Sequence, residues 1–260
     1  MNSGFKNIAI EAAKEAGRIH KKYFQKDTQT KEKSSSFDLI TIADTEAEKA
    51  VVELIKNKFP SHNILAEEER YEKTGSSYCW IIDPLDGTNN FSFGLPFFCV
   101  SIALAKNEQV ILGVIYDVIR DELFLAEYGK GAYLNGKKIK VSDSGALDKS
   151  LLITGFYYDR GKNMLDNLEI IKTFFQKRAV GIRRLGAAAL DLSYIACGRA
   201  TGFWEFCLSP WDFAAGKLLV EEAGGKVTGK TGQEVKLEKS YIVASNGKIH
   251  QDIINVINSL

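Results

Sequence analysis

The chain has 260 residues, 45% hydrophobic and 26% charged, with 34 Lys+Arg against 33 Asp+Glu for a net charge of +1. That length suits one large domain or two intimate half-domains, and the balanced charge argues against a nucleic-acid or membrane surface. No apolar run approaches the roughly 18 residues of a membrane span, and the N-terminus lacks a signal-peptide core, so the expected location is the cytoplasm. The first element is an amphipathic helix over Ser3–Phe24, with Phe5, Ile8, Ala12, Ala16, Ile19 and Tyr23 at helical spacing. The polar run KEKSSSFDL reads as a loop or short hairpin. Thr41-Ile42-Ala43-Asp44 resembles a capping box with Asp in place of Glu, and the helix it opens stops at Pro60. Strands are expected at Asn63–Ala66, Tyr78–Asp83, Phe98–Lys106, Gln109–Asp117 and Glu122–Glu127, followed by a hairpin around Asn135-Gly136.

The polar stretch Ser142-Asp143-Ser144-Gly145 is the best boundary. It divides the chain into an α+β half, residues 1–143, and an α/β half, residues 144–260. In the second half, strands Leu151–Thr154, Val180–Arg184, Gly202–Glu205 and Tyr241–Ser245 alternate with helices Asn163–Gln176, Ala187–Cys197, Trp211–Ala223 and Lys248–Leu260. Cys79, Cys99, Cys197 and Cys207 show no CxxC pairing and read as buried, reduced thiols. His20, His62 and His250 lie away from acidic clusters and glycine turns, and are expected on helix or loop surfaces. Their scarcity removes most Ser–His, Cys–His and histidine-ligated zinc mechanisms.

Three acidic features share one pattern. Glu67, Glu68 and Glu69 follow a strand; Asp83 ends one and Asp86 follows in the turn; Asp212 sits in Ser209-Pro210-Trp211-Asp212, a second capping box with Pro210 at the first helical position. Open α/β sheets place ligands at such strand ends and helix starts. Capping alone accounts for Asp212, and a solvated position for Glu69. It does not account for Asp83 and Asp86, because Asp83 abuts four apolar residues and two neighbouring carboxylates there suffer desolvation and repulsion. Divalent cations remove both penalties, and oxygen ligands without histidine or thiolate point to Mg2+ rather than zinc. Pro84 stiffens the turn, Gly87 lets backbone approach a ligand, and the amides of Gly87 and Thr88 offer an anion seat. Metals beside an anion seat suggest a phosphate ester.

Two motifs mislead. Gly224–Thr231 matches GxxxxGK[ST], but it follows a helix and no helix comes after it, so it reads as a chance match on a surface hairpin. Asp86-Gly87-Thr88 echoes the aspartyl-phosphate phosphatases, yet Pro84 stands where their first acid belongs.

Ala66-Glu67-Glu68, Asp83-Pro84-Leu85-Asp86-Gly87-Thr88-Asn89-Asn90-Phe91 and Trp211-Asp212-Phe213-Ala214-Ala215-Gly216 resemble, in order and spacing, the three metal motifs of the inositol monophosphatase family. The similarity covers nearly the whole chain, and RRLGAAALDLSYIACGRATGFWEFCLSPWDFAAG looks most like bacterial members. One departure is Ala66, where the family usually has glycine. Little effect is expected unless that backbone needs a positive φ. The resemblance implies a layered αβαβα sandwich of the inositol monophosphatase and fructose-1,6-bisphosphatase type. It implies a Mg2+-dependent, lithium-sensitive and dimeric phosphatase with two to three ions per site. Glu67, Asp83 and the Leu85 carbonyl would hold one ion; Asp83, Asp86 and Asp212 a second; Glu67 a looser third. Thr88, supported by Asp44, would orient the attacking water. Asp86, Gly186, Ala187, Ala188 and Glu205 would form the alcohol pocket.

The leading expectation is hydrolysis of myo-inositol monophosphate by metal-activated water. The alternatives are the same chemistry on fructose 1,6-bisphosphate, a 3′-phosphonucleotide, NADP or histidinol phosphate, or a regulatory binding protein that keeps the fold. Arg183 and Arg184 could serve a second phosphate, a dimer partner or plain surface charge.

Overall fold

The computed structural model describes residues 3–26, 30–35, 38–156 and 160–259. In chain order, helix α1 (Ser3–Tyr23) and the hairpin β1 (Lys31–Ser35) and β2 (Asp38–Ile40) lead into α2 (Ile42–Lys58). Strands β3 (Asn63–Ala66) and β4 (Tyr78–Asp86) follow, then the single turn α3 (Thr88–Ser92). A meander comes next: β5 (Cys99–Lys106), β6 (Gln109–Asp117), β7 (Glu122–Glu127), β8 (Gly131–Leu134) and β9 (Lys137–Lys138). The rest comprises β10 (Leu151–Thr154), α4 (Lys162–Gln176), β11 (Gly181–Arg183), α5 (Ala188–Ala196), β12 (Gly202–Leu208), α6 (Pro210–Glu222), β13 (Lys226–Thr228), β14 (Ser240–Ser245) and α7 (His250–Ile257).

Strands β3 to β9 form one seven-stranded sheet in sequence order, and the second sheet has the order β11-β10-β12-β14-β13. Helices α1 and α2 cover one face of the first sheet, where Phe5, Ile8, Val51 and Ile55 pack on Trp80, Ile82, Val100 and Ile102. Helices α5 and α6 lie between the sheets, and their Leu192, Ile195, Phe213 and Leu219 join both. Helices α4 and α7 close the outer face of the second sheet around Phe174, Trp204 and Ile253. This is the expected αβαβα sandwich. Both faces of each sheet are covered, so β5 is apolar but for Ser101 and is buried from Cys99 to Ala105. Truncating a side chain such as Trp204 to alanine is expected to cost about 3–5 kcal/mol.

Both capping boxes form. Thr41 Oγ1 accepts from the Ala43 amide at 3.1 Å, and Asp44 Oδ2 accepts from the Thr41 amide at 2.7 Å. Ser209 and Asp212 repeat the arrangement at the start of α6, with Pro210 first in the helix. Gly224–Thr231 runs into β13, which pairs antiparallel with β14, so it has no P-loop geometry.

Two histidines depart from expectation, since His20 and His250 are buried, while His62 is half-buried in a turn. His20 is fully buried, in edge contact with Phe91 and Phe98, and burial pushes its imidazole down to about 3. Its place on α1 facing the sheet, rather than solvent, explains the burial. His62 is stacked against Phe59 and Tyr78 and accepts from Trp80 Nε1. His250 is buried between the hydroxyls of Thr228 and Ser245. The four cysteines are free, with Cys99 buried and the others half-buried.

Candidate active site

Two expected strands run further than their patterns suggest. β4 continues through Asp86, and β12 through Leu208. Along β4 and β5, Asp83 pairs with Ser101 and Asp86 with Cys99, so three steps on one strand oppose two on the other. The extra residue falls at Pro84-Leu85. Proline has no amide to give to the ladder, and a bulge is where a strand accepts it. The bulge turns both acids to the sheet's end. Asp83 Oδ1 accepts from the Leu85 amide at 3.0 Å, which fixes the turn from within.

Gly87 then takes φ +94, and a Cβ there would lie 3.0 Å from the Phe97 carbonyl and 3.2 Å from Ala187 Cβ. Only glycine fits that approach. Next comes Thr88, whose Oγ1 lies 2.8 Å from Asp44 Oδ1 and 3.0 Å from the Leu85 carbonyl. Asp44 thus serves the start of α2 with one oxygen and holds Thr88 with the other. Burial raises its carboxyl to about 6, against the lowering effect of its hydrogen bonds to Thr41 and Thr88.

Asp86 reaches across to the start of α5, where its two oxygens accept from the Ala188 amide at 3.2 Å and the Ala189 amide at 2.7 Å. Burial raises it to about 7, opposed by those amides. Asp83 and Asp212 are pushed well above the carboxylate range, first by burial and then by repulsion from Glu67 and Asp86, with Asp212 also acting on Asp83. Lys33 is the cation at this edge, 2.8 Å from Glu67 Oε1 and 2.6 Å from Glu68 Oε1. Burial disfavours its charge, but the two glutamates outweigh that and raise its pKa.

These residues surround a cavity of about 310 Å3. Of the expected site residues, Glu67, Asp83, Leu85, Asp86, Gly87, Thr88, Gly186, Ala188, Glu205 and Asp212 line it. Asp44 lies behind Thr88, and Ala187 sits behind Gly87, outside the lining. Among the described residues, no three acidic, histidine or cysteine side chains already converge as a pre-assembled ligand set. The donor chemistry still fits a hard cation: buried carboxylates that repel one another, with no histidine in the lining and Cys207 its one sulfur.

Glu205 stands at the far end. Its carboxylate lies where a Gly155 Cβ would be, so only a glycine leaves it room. Burial raises it to about 8, with Arg184 opposing and Asp86 adding to the rise. Arg184 lines the cavity, whereas exposed Arg183 turns to the Ile182 carbonyl. Ala66 has ordinary strand backbone paired with Ile82, so glycine is not needed there. Sequence reasoning missed Lys33, Gly155 and Lys239 in the lining. A lysine in a polar hairpin and a glycine after a strand give no local signal of a distant carboxylate.

The family profile described as "Inositol monophosphatase family" matches residues 1–260. An inositol-1-monophosphatase of Synechocystis is 45% identical over 247 residues, covering 95% of this chain and 86% of that one. A Nus factor SuhB of Pseudomonas aeruginosa is 42% identical over 258 residues, covering 96% and 94%. The solved extragenic suppressor protein suhB of Bartonella henselae superposes with a TM-score of 0.94 at 38% identity, covering 98% and 99%. A solved IMPase/NADP phosphatase, described as complexed with Mg2+ and phosphate, gives 0.81 at 27% identity, covering 90% and 87%. With the acid-bearing bulge, the Asp44–Thr88 pair and the layered sandwich in place, this chain belongs to the inositol monophosphatase family and is a phosphoric monoester hydrolase.

Proposed function

We propose that the protein is a Mg2+-dependent phosphatase of small alcohol phosphates, with myo-inositol monophosphate as its preferred substrate. The observation that carries this reading is the meeting of Glu67, Asp83, Asp86 and Asp212 on one cavity beside Gly87 and Thr88. Glu67, Asp83 and the Leu85 carbonyl would hold one ion, Asp83, Asp86 and Asp212 another, and Glu67 a looser third. Bound cations supply neutralisation of phosphoryl charge and a more acidic water.

The chain's own residues do the rest. The single Thr88 hydroxyl proton is directed at Asp44 Oδ1 and the Leu85 carbonyl. Its lone pairs therefore remain to accept from a water in the cavity, and they aim that water. The amides of Gly87 and Thr88 seat the phosphate. Asp86, Gly186, Ala188 and Glu205 receive the alcohol, and Ala187 supports them from behind. Glu205, recessed against Gly155, accepts hydrogen bonds from hydroxyls, which favours a neutral polyol over fructose 1,6-bisphosphate, a 3′-phosphonucleotide, NADP or histidinol phosphate. In this reading residues 1–143 supply Glu67, Asp83 and Asp86 to the cations, and residues 144–260 supply Asp212 and most of the alcohol pocket.

Phosphate release over a panel of phosphomonoesters tests the proposal. Turnover should require Mg2+, fall with added Li+ and be fastest on inositol monophosphate. Turnover unaffected by chelation would sink it.

The exposed apolar side chains of Phe93, Leu95 and Ile119 support a homodimer, testable by light scattering. No helix among the described residues is long and apolar enough to cross a membrane, and four free cysteines suit the reducing cytoplasm. The name Nus factor carried by the Pseudomonas relative favours a second reading, a regulatory partner bound in addition to catalysis. An Asp83→Asn chain that restores growth of a deletion strain without turnover would establish it.

A further inference from the structure

Asp44 has a neighbour one helical turn along α2 that the proposed mechanism does not use. Glu48 is 1% exposed and does not line the catalytic cavity. Its Oε2 accepts from the Glu68 amide at 2.9 Å, and its Oε1 accepts from the Glu69 amide at 2.8 Å and the Tyr71 hydroxyl at 3.1 Å. Both carboxylate oxygens thus grip two successive backbone amides just after Glu67. Charge-assisted bonds of this bidentate kind are stronger and more directional than neutral ones.

The amide of Glu68 belongs to the peptide plane that leaves Glu67. Fixing it fixes the backbone rotation on the C-terminal side of Glu67. On the N-terminal side, Ala66 is paired in parallel register with Ile82. Glu67 and Asp83 each stand one residue beyond that pair. Glu67 is therefore pinned from both directions, and its side chain leaves the backbone beside Asp83.

We infer that Glu48 is a positioning residue for Glu67, a clamp on the loop that presents this carboxylate to the cavity. The inference rests on the cation reading proposed above. One helix then frames both parts of the chemistry: Asp44 holds the residue that aims water, and Glu48 holds the loop that brings in Glu67. Residues behind a first ligand set, when removed, typically weaken metal affinity about 10–100-fold.

The test compares wild type with Glu48→Gln, Tyr71→Phe and Glu53→Gln, the last an exposed glutamate on the same helix. Glutamine keeps the volume but turns one acceptor into a donor facing an N–H. Calorimetry with Mg2+ alone, the Mg2+ dependence of turnover, and amide exchange at Glu68 and Glu69 are measured. Glu48→Gln should raise the Mg2+ Kd and the half-saturating Mg2+ by about 10-fold or more, with kcat at saturating Mg2+ within about 3-fold of wild type. The two amides should exchange faster. Tyr71→Phe should move all readouts less, in the same direction, and Glu53→Gln should move none. Unchanged Mg2+ affinity, or a fall in kcat alone, overturns the clamp. If Glu48→Gln does not fold, Tyr71→Phe decides, and wild-type Mg2+ affinity in it overturns the clamp. Wild type that binds no Mg2+ but protects both amides sinks the cation reading alone, while amides equally protected in Glu48→Gln sink the clamp.

Discussion

On α2, Asp44 and Glu48 each receive three hydrogen bonds, whereas on α5 the equally buried Asp191 receives none on either oxygen. All three have raised pKa values with burial as the largest cause. Asp44 stops near 6 because donors oppose the rise. Asp191 goes well above the carboxylate range, with Glu205 and Asp86 adding to it and only Arg184 opposing. Burial sets the penalty on a charge, and donors decide how much of it remains. The acids of α2, behind the cavity, are thus held by donors and remain chargeable, while Asp191 on α5, with none, stays neutral.

The largest expected effect comes from Asp83, the acid shared by both proposed ions. Asp83→Asn should lower Mg2+-dependent phosphate release by more than about a thousandfold, while raising the unfolding temperature of the metal-free protein at pH 8. Residual turnover within tenfold of wild type would break the contrast between the two sides. Thr88→Ala should follow, with kcat down about a hundredfold and KM little changed. Asp44→Asn should match that loss and also destabilise the fold by about 1 kcal/mol through the weakened cap, as read by denaturant unfolding.

A pH series addresses the alcohol side. Glu205 has a folded pKa near 8, above its unfolded value. Its contribution is therefore fully present below the unfolded pKa and is lost as pH rises through about 8. The metal-free unfolding temperature should fall between pH 5 and pH 8, and Glu205→Gln should flatten that fall. An equally steep fall in the variant would reassign the effect to Asp86 and its neighbours. The smallest effect belongs to Asp191→Asn, which mimics the neutral acid. Stability within about 1 kcal/mol of wild type is expected. A much larger loss would mean that Asp191 is ionised, and the contrast would fail.

The sequence made the cation side far more legible than the alcohol side. Asp83, Pro84, Asp86, Gly87 and Thr88 lie within six residues, and each has a local reason for its type: a bulge, a missing amide, a positive φ, a hydroxyl. The two capping boxes were equally local. By contrast, Asp86 meets α5 across 102 residues, and Gly155 meets Glu205 across 50. Such contacts follow from how the sheets stack, and single-chain periodicity does not encode them. The histidines show the same limit. The Ser3–Phe24 pattern found the helix, but His20 occupies an inward position that only the sheet behind it defines.

The two capping boxes have a bearing on the family's history. Asp44 and Asp212 each give one oxygen to a backbone amide at a helix start. A lineage that stopped hydrolysing phosphates would still lose folding stability on replacing either acid. Selection for a folded chain alone would preserve them, so the presence of these two acids is by itself weak testimony for turnover. Asp83 opens no helix, and an asparagine there could still accept from the Leu85 amide, so a lapsed enzyme could lose this charge and keep the turn.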